Sequence, residues 1–349
     1  MGALGRRLRR TLLLALGAGA LVAVAYLAWY AYRPLQPGPA IYTVAPGTSM
    51  GAFARDLHAR GVIRHPRLMT ALAVLRGQGR ALKAGEYRFP RGITLLALLD
   101  QVSAGRVVAH PFTLVEGQTV AQVLARLGAE PRLAQDLPDV PLAGLLAAIG
   151  LEDPRHPEGL FFPDTYYYTA GSGAAALLRR AYRRMQAFLA EQWPRRDPDL
   201  PLTDPYQALI LASIVEKETG VARERPLIAG VFVNRLRRGM KLQTDPTVIY
   251  GLGDRFKGNL KLRHLQEDGP FNTYTRPGLP PRPIALPGAA AILAALHPAR
   301  TDALYFVARG DGTHEFSATL AAHNRAVARY QRAGRARDYR SAPPPGEGK

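Results

Sequence analysis

From Thr11 to Tyr32 the chain carries no charged side chain, and the stretch is long enough to cross a bilayer as a helix, which takes about 20 apolar residues. Arg6, Arg7, Arg9 and Arg10 precede it, while Arg33 is the only cation close behind. The positive-inside bias then keeps the N-terminus in the cytoplasm and sends the chain after Arg33 across the membrane. Tyr26, Trp29, Tyr30 and Tyr32 crowd the far end, where amphipathic rings favour the interface. The small-x-small site Ala23-Val24-Ala25 keeps a cleaved signal peptide open as a second reading, although the apolar run continues past it. Either way the bulk of the chain works outside the cytosol, which argues against an ATP-dependent activity.

Beyond the anchor, residues 33–40 read as a stiff linker, because Pro34, Pro37 and Pro39 fix φ and remove donors. A pattern then recurs. Tyr42-Thr43-Val44-Ala45-Pro46-Gly47-Thr48-Ser49 leads to Phe53 and Leu57, and Phe112-Thr113-Leu114-Val115-Glu116-Gly117-Gln118-Thr119 leads to Val123 and Leu127. A shorter echo, Tyr87 to Thr94 with Gly92, leads to Leu98 and Leu99. Each copy predicts a short alternating strand, a glycine turn, and a hydroxyl (Ser49, Thr94, Thr119) that caps the following helix. The opening Tyr-Thr-Val-x-Pro-Gly-x-Ser resembles the start of LysM modules, which bind N-acetylglucosamine polymers.

Farther on, the pattern predicts a helix that starts at Pro205, is capped by Asp204 and stops at Gly220. Its interior, Ala208 to Val215, is almost wholly apolar, so the helix is buried. Glu216, Lys217 and Glu218 follow. At about 100° per residue the two glutamates point about 200° apart and cannot both face one cleft. Glu218 continues the bulky stripe of Leu211, Ile214 and Val215, whereas Glu216 follows Leu209, Ala212 and Ser213. A carboxyl on a buried apolar stripe loses hydration, which raises its pKa and suits it to donate a proton near neutral pH. The alternative on these residues alone is a pair of surface ion-pair partners at a fraying helix end.

Composition narrows the chemistry. With no cysteine, thiol nucleophiles, Cys-ligated zinc, disulfides and a lipidated N-terminal cysteine are all excluded. The 46 Lys+Arg against 27 Asp+Glu give a net charge of +19, but nearly all these cations are arginine, so compositional bias explains the charge as well as an anionic partner does. Attraction to anionic lipid or acidic polymers is allowed. No nucleic-acid partner is expected, since no motif and no basic run interleaved with aromatics appears. His264, His297, His314 and His323 lack metal-ligand spacing, and there is no phosphate loop or Gly-x-Ser-x-Gly elbow, so no metal and no cofactor are expected.

The run Ala212-Ser213-Ile214-Val215-Glu216-Lys217-Glu218-Thr219 is similar to the signature of the YceG-like family, the endolytic murein transglycosylases also called MltG. Further motifs follow in the family's order: Val231 to Leu236, Met240 to Gly251, Asn272-Thr273-Tyr274, Gly278-Leu279-Pro280-Pro281, Leu304 to Ala308 and His323-Asn324. Upstream, Glu158 to Tyr166 fits as well. The similarity runs from the anchor to about residue 332.

This resemblance implies an enzyme that cuts nascent peptidoglycan between N-acetylmuramic acid and N-acetylglucosamine, leaving 1,6-anhydro ends. It places the catalytic acid on Glu218 and suggests peptidoglycan synthases as partners, in a bacterial inner membrane with the catalytic domain outside. Gln243, Thr244, Asp245, Tyr250, Asn272 and Tyr274 are the expected sugar contacts. Asp245 and Glu224 are possible second acids, whose presence across the cleft would bring ordinary hydrolysis back. Arg276 and Arg282 stand where the family usually has small or neutral residues, and are possible partners for peptide carboxylates.

The expected architecture is α+β: a cytoplasmic N-terminus (1–10), a transmembrane helix (11–32), the linker (33–40), a LysM-like subdomain (41–108), a mixed α+β catalytic domain (109–333) and a disordered tail (334–349). A hairpin is expected around Gly310-Asp311-Gly312, with Ser317 capping the helix after it.

Overall fold

A computed structural model describes residues 3–36 and 38–332, so the expected tail lies outside the described residues. The fold is mixed α+β. In chain order it comprises α1 (Ala3–Tyr32), β1 (Tyr42–Val44), α2 (Met50–Ala59), α3 (Pro66–Leu75), β2 (Gly85–Tyr87), α4 (Leu95–Ala104), β3 (His110–Thr113), α5 (Val120–Gly128), α6 (Leu145–Ala148) and β4 (Thr165–Tyr168). Then come α7 (Ala174–Gln192), α8 (Pro205–Glu218), α9 (Arg225–Arg237), α10 (Asp245–Leu252), α11 (Leu262–Gln266), α12 (Ala289–Leu296), β5 (Tyr305–Ala308), β6 (His314–Ser317) and α13 (Leu320–Gln331). The chain forms two compact units. The first holds residues up to His110 with Tyr167–Ser172, and the second holds Pro111–Tyr166 with the residues from Gly173 on.

In the first unit, α1 fits a single-pass membrane anchor. Its segment Arg9–Tyr32 has a mean hydropathy of 2.2, and the side chains of Leu12 to Val24 are exposed. The last turn of the helix behaves differently: Tyr30 and Ala31 are buried. The proline-rich segment behind it is no free spacer either, because Leu35 is buried and its N–H donates to the Ile93 carbonyl at 2.9 Å. The core of this unit joins β1, α2, α3, β2 and α4, with Phe53, Leu57, Met69, Tyr87, Leu95, Leu98 and Leu99 almost fully enclosed. β1 and β2 are antiparallel, pairing Tyr42 with Tyr87 and Val44 with Gly85.

The recurring turn is built as its sequence predicts. Gly47, Gly92 and Gly117 all have positive φ (79°, 77° and 76°), a conformation that costs other residues about 1 kcal/mol. Two residues later Ser49, Thr94 and Thr119 each accept the N3 backbone N–H of the next helix, at 3.2, 3.2 and 3.3 Å. Gln122 completes a capping box with Thr119. The second copy is shifted, since β2 ends at Tyr87 rather than running to Phe89.

The second unit is organised on α8, which begins at Pro205 under an Asp204 cap and has every residue from Ala208 to Val215 buried. α12 and α9 pack against it. Ser213 ties the apolar layer to the loop before α12: its hydroxyl donates to the Ile210 carbonyl (2.7 Å) and accepts the Ile284 N–H (3.0 Å). β5 and β6 form the expected hairpin, with Phe306 opposite Phe316. The cap of α13 is Thr319, which accepts the Ala322 N–H at 3.2 Å, and not Ser317. Ser317 is held in the ladder opposite Tyr305, its carbonyl accepting the Leu304 N–H, so the helix cannot start until the strand has ended.

The packing leads to a stability prediction, measured by denaturant unfolding of the full chain in detergent. Leu57→Ala empties a fully buried site and is expected to cost about 2–5 kcal/mol, whereas Ser49→Ala, losing one cap, is expected to cost about 1 kcal/mol. Equal costs would contradict the core described here.

Candidate active site

The C-terminal end of α8 sends three consecutive side chains in three directions. Glu216 turns inward, where its Oε2 accepts the N–H of Gly288, the residue that caps α12, at 3.0 Å, and its Oε1 lies 3.6 Å from Arg225. Lys217 donates to the carbonyl of Gly117, in the third glycine turn, at 3.2 Å. Glu218 lies on a cleft of about 860 Å³ whose wall also includes Glu216 and Lys217, so both glutamates border one cleft, contrary to the expectation from helical geometry. The difference is that Glu216 and Lys217 are held by partners on α12 and the Gly117 turn. The less apolar stripe of Glu216 therefore does not lead to solvent. Its carboxyl is buried too, and burial pushes its pKa up, but the group is committed to α12.

Burial pushes the Glu218 carboxyl up to about 7 from its ordinary 4.5, helped by the nearby Asp245 carboxylate and opposed by the Thr244 hydrogen bond and the Arg235 charge. The position at a helix C-terminus also disfavours an anion. Thr244 Oγ1 donates to Glu218 Oε1, and among the described residues Oε2 has no partner, so it is open to a ligand.

Thr244 is itself fixed. Its N–H donates to the Thr273 hydroxyl (3.0 Å), and the Thr247 hydroxyl donates to its carbonyl (2.8 Å). The preceding Gln243 is the one non-glycine with positive φ (50°) among the described residues, a strained conformation of the kind that gathers at working sites. It turns the chain so that its own N–H reaches the Thr273 carbonyl (3.1 Å). Arg235, buried on α9, supports the turn from below. Its guanidinium donates to the carbonyls of Leu304 (2.6 Å), Lys241 (3.1 Å) and Leu242 (2.8 Å), and to Gln243 Oε1 (3.3 Å). Across the cleft the Tyr305 ring lies under Arg235 at 5.1 Å and stacks on His323 at 5.2 Å. Desolvation, with Arg235 nearby, lowers the His323 pKa and favours a neutral ring.

Of the residues expected to contact sugar, Gln243, Asp245 and Tyr274 line the cleft with Glu218. Thr244 reaches it through its hydrogen bond to Glu218. The Tyr274 hydroxyl donates to Asp245 Oδ1 at 2.6 Å, and burial together with this carboxylate pushes the phenol up. Asn272 and Tyr250 are placed elsewhere. Asn272 is buried, its amide donating to the carbonyls of His264, Leu265 and Glu267 while its Oδ1 accepts the Tyr274 N–H, so it shapes the loop that carries Tyr274. Tyr250 donates to buried Glu158, whose other oxygen accepts the Val120 N–H. Glu224 is spent on the backbone and ring nitrogens of His314 (3.0 and 2.8 Å), whereas Asp245 stands in the cleft. Arg276 pairs with Asp268 (2.8 Å) and Arg282 covers the Phe271 ring.

Sequence reasoning missed Arg235, Tyr305 and His323 as parts of the site. Their motifs were visible, but only the packing of the hairpin on α9 and of α13 on the hairpin brings them to the cleft that Glu218 lines. No three histidine, aspartate or glutamate side chains converge as a metal would require, among the described residues.

A desolvated acid in a polar groove, with a second carboxylate and aromatic rings nearby, is a site suited to breaking a glycosidic bond. The YceG-like family model matches residues 42–329, and the chain belongs to that family. It is 29% identical to the endolytic murein transglycosylase of Bacillus subtilis, over 82% of this chain and 83% of that protein. It is 26% identical to the endolytic murein transglycosylase of Streptococcus pneumoniae D39, over 76% of this chain but only 53% of that longer protein. Among solved structures it is similar to a YceG-like protein of Listeria monocytogenes, with a TM-score of 0.51, 29% identity, and coverage of 82% of this chain and 98% of that one.

Because the folded-state pKa of Glu218 lies above its ordinary value of 4.5, the folded protein keeps this proton up to about pH 7 and loses stability as pH rises through that window. Glu218→Gln, which cannot ionise, is expected to gain on the wild type between those limits, by up to roughly 3 kcal/mol, and to match it at lower pH. Unfolding measured across pH reads the difference; a difference independent of pH would mean a solvated carboxyl.

Proposed function

We propose that this protein is a membrane-anchored endolytic murein transglycosylase with Glu218 as its single catalytic acid and base. The observation that carries the assignment is the Glu218 carboxyl on the cleft wall, its pKa pushed up to about 7 by desolvation, with one oxygen held by Thr244 and the other without a partner among the described residues. The names of the relatives support murein, that is peptidoglycan, as the substrate, and the bond proposed to be cut is the one between N-acetylmuramic acid and N-acetylglucosamine.

In the first step Glu218 gives its proton to the glycosidic oxygen as the bond to the muramoyl anomeric carbon breaks. In the second the resulting carboxylate takes the proton of the muramoyl C6 hydroxyl, whose oxygen closes on the anomeric carbon to give the 1,6-anhydro end. No water is consumed and no nucleophilic carboxylate is needed. Asp245, oriented by Tyr274, offers negative charge to the positive character that develops at the anomeric carbon. Gln243, Tyr274 and Tyr305 supply amide and ring contacts to the strand. The orientation proposed for α1 puts this unit outside the inner membrane, beside nascent glycan, where release of strands terminates elongation and peptidoglycan synthases are natural partners. The succession β1, α2, α3, β2, with its two strands antiparallel, supports reading residues 41–108 as LysM-like, and the mixed helices and strands of 109–333 as the catalytic domain.

Asp245 in the same cleft favours one competing reading, a hydrolase that uses two carboxylates. Incubating the full chain with purified peptidoglycan and weighing the fragments separates the two: the proposal predicts anhydro ends, and reducing ends would support hydrolysis. Glu218→Gln is expected to lower the rate by about 10²–10⁴-fold. Glu216→Gln still accepts the Gly288 N–H and is expected to stay within about tenfold of the wild type, a difference of about 1.4 kcal/mol. Equal losses in the two variants would overturn the assignment of Glu218.

A further inference from the structure

We propose that the α2–α3 face of the first unit docks on the surface of the bilayer, with its arginines on anionic phospholipid headgroups and its apolar groove at the interface. The inference rests on reading α1 as membrane-spanning.

The anchor acts as a depth gauge. Counting from Thr11 at 1.5 Å per residue, Tyr26 lies about 22 Å and Tyr30 about 28 Å along the helix, near the outer edge of a hydrocarbon layer about 30 Å thick. Both tyrosines grip the residue that starts α3. The Tyr26 hydroxyl is 2.9 Å from the His65 ring. The Tyr30 hydroxyl accepts the His65 N–H (3.1 Å) and donates to its carbonyl (3.2 Å). Tyr30 is only 1% exposed, so this is a packed joint. The first turn of α3 is thereby held level with the headgroups.

The surface presented there suits that position. A groove of about 760 Å³ between α2 and α3 is lined mainly by small and apolar residues, among them Pro66, Ala71, Val74 and Leu75, together with Thr70, Arg55 and Arg67. Val74 and Leu75 are 63% and 76% exposed, a mismatch with water that an interface removes. Arg55, Arg64 and Arg67 are exposed and have no carboxylate partner among the described residues, and α3 carries no acidic residue at all. Arg33, at the membrane exit, packs over the Trp29 ring at 4.9 Å. A cationic rim around an apolar trough, which begins at Pro66 beside the His65 joint to the anchor, complements an anionic bilayer, where each such cation is attracted within a Debye length. The groove's hydrogen-bonding side chains are the two arginines, which suit an anionic headgroup, and Thr70, whose hydroxyl already donates to the Pro66 carbonyl at 3.0 Å. The rest of the lining offers a polar glycan no side-chain partner.

The absence of cysteine makes the test direct, since one introduced thiol takes a label uniquely. The full chain is placed in nanodiscs of phosphatidylcholine with or without phosphatidylglycerol, carrying a fluorophore on Val74→Cys or, as the anchor control, Leu21→Cys, and is probed with doxyl-labelled lipid. The expected result is quenching and a blue shift at position 74 with phosphatidylglycerol present, lost when Arg64 and Arg67 are replaced by glutamate, while position 21 is quenched throughout. A label at 74 that stays solvent-like while 21 is quenched overturns the docking but leaves the anchor intact. Failure of quenching at 21 overturns the anchor and the docking with it. A label at 74 that responds to added chito-oligosaccharide and not to lipid would make glycan the occupant and also refute the proposal.

Discussion

Desolvation of a single carboxyl group governs this molecule. An ionised glutamate at the C-terminal end of a buried helix loses hydration and meets the unfavourable end of the helix dipole and a nearby aspartate, which together push its pKa up to about 7. That same penalty makes the group an effective acid. The energy comes from the packing of α8 against α9 and α12, which fixes the end of the helix and keeps it from fraying into water.

Much of the second unit can be understood as what is needed to hold that end. Glu216 reaches into the N-terminus of α12, Lys217 reaches to the turn at Gly117, and Glu218, on the same cleft wall, is held by the Thr244 hydroxyl. The Gly117 turn is in turn tied to the loop before α12 by paired backbone bonds, Gly117 N–H to Leu286 carbonyl and Leu286 N–H to Gln118 carbonyl, both 2.8 Å. The recurring strand, turn and helix therefore has two uses in one chain: it builds the core of the first unit and braces the reactive end of α8 in the second. Opposite, Arg235 gathers the carbonyls that keep the strained Gln243 turn in place, and that turn delivers the Thr244 hydroxyl to Glu218.

Local features were legible in the sequence wherever one segment decided them. The three capped helices, the burial of Ala208 to Val215, the start of α8 at Pro205 and the β5–β6 hairpin follow from side-chain periodicity, proline and glycine, and cap chemistry. The apolar stripe also pointed to a desolvated carboxyl at Glu218, but it did not reveal that Glu216, on the less apolar stripe, is desolvated as well. Features set by distant partners were not legible. Nothing in the run around Glu216 announces Gly288, 72 residues away, and nothing near Asn272 shows that its amide is consumed by the carbonyls of its own loop. Tyr250 looked like a ring for a sugar and is instead the partner of buried Glu158. Ser317 and Thr319 are equally good caps by type, and only the strand pairing chooses between them.

The central claim concerns a proton, and infrared difference spectroscopy observes it directly. The spectrum of the wild type minus that of Glu218→Gln, recorded through a pH titration of the full chain, isolates this carboxyl from that of Glu158. The account predicts a protonated carbonyl band that persists to about pH 7 before giving way to carboxylate. A band already lost near pH 4.5, the ordinary value for glutamate, would contradict it.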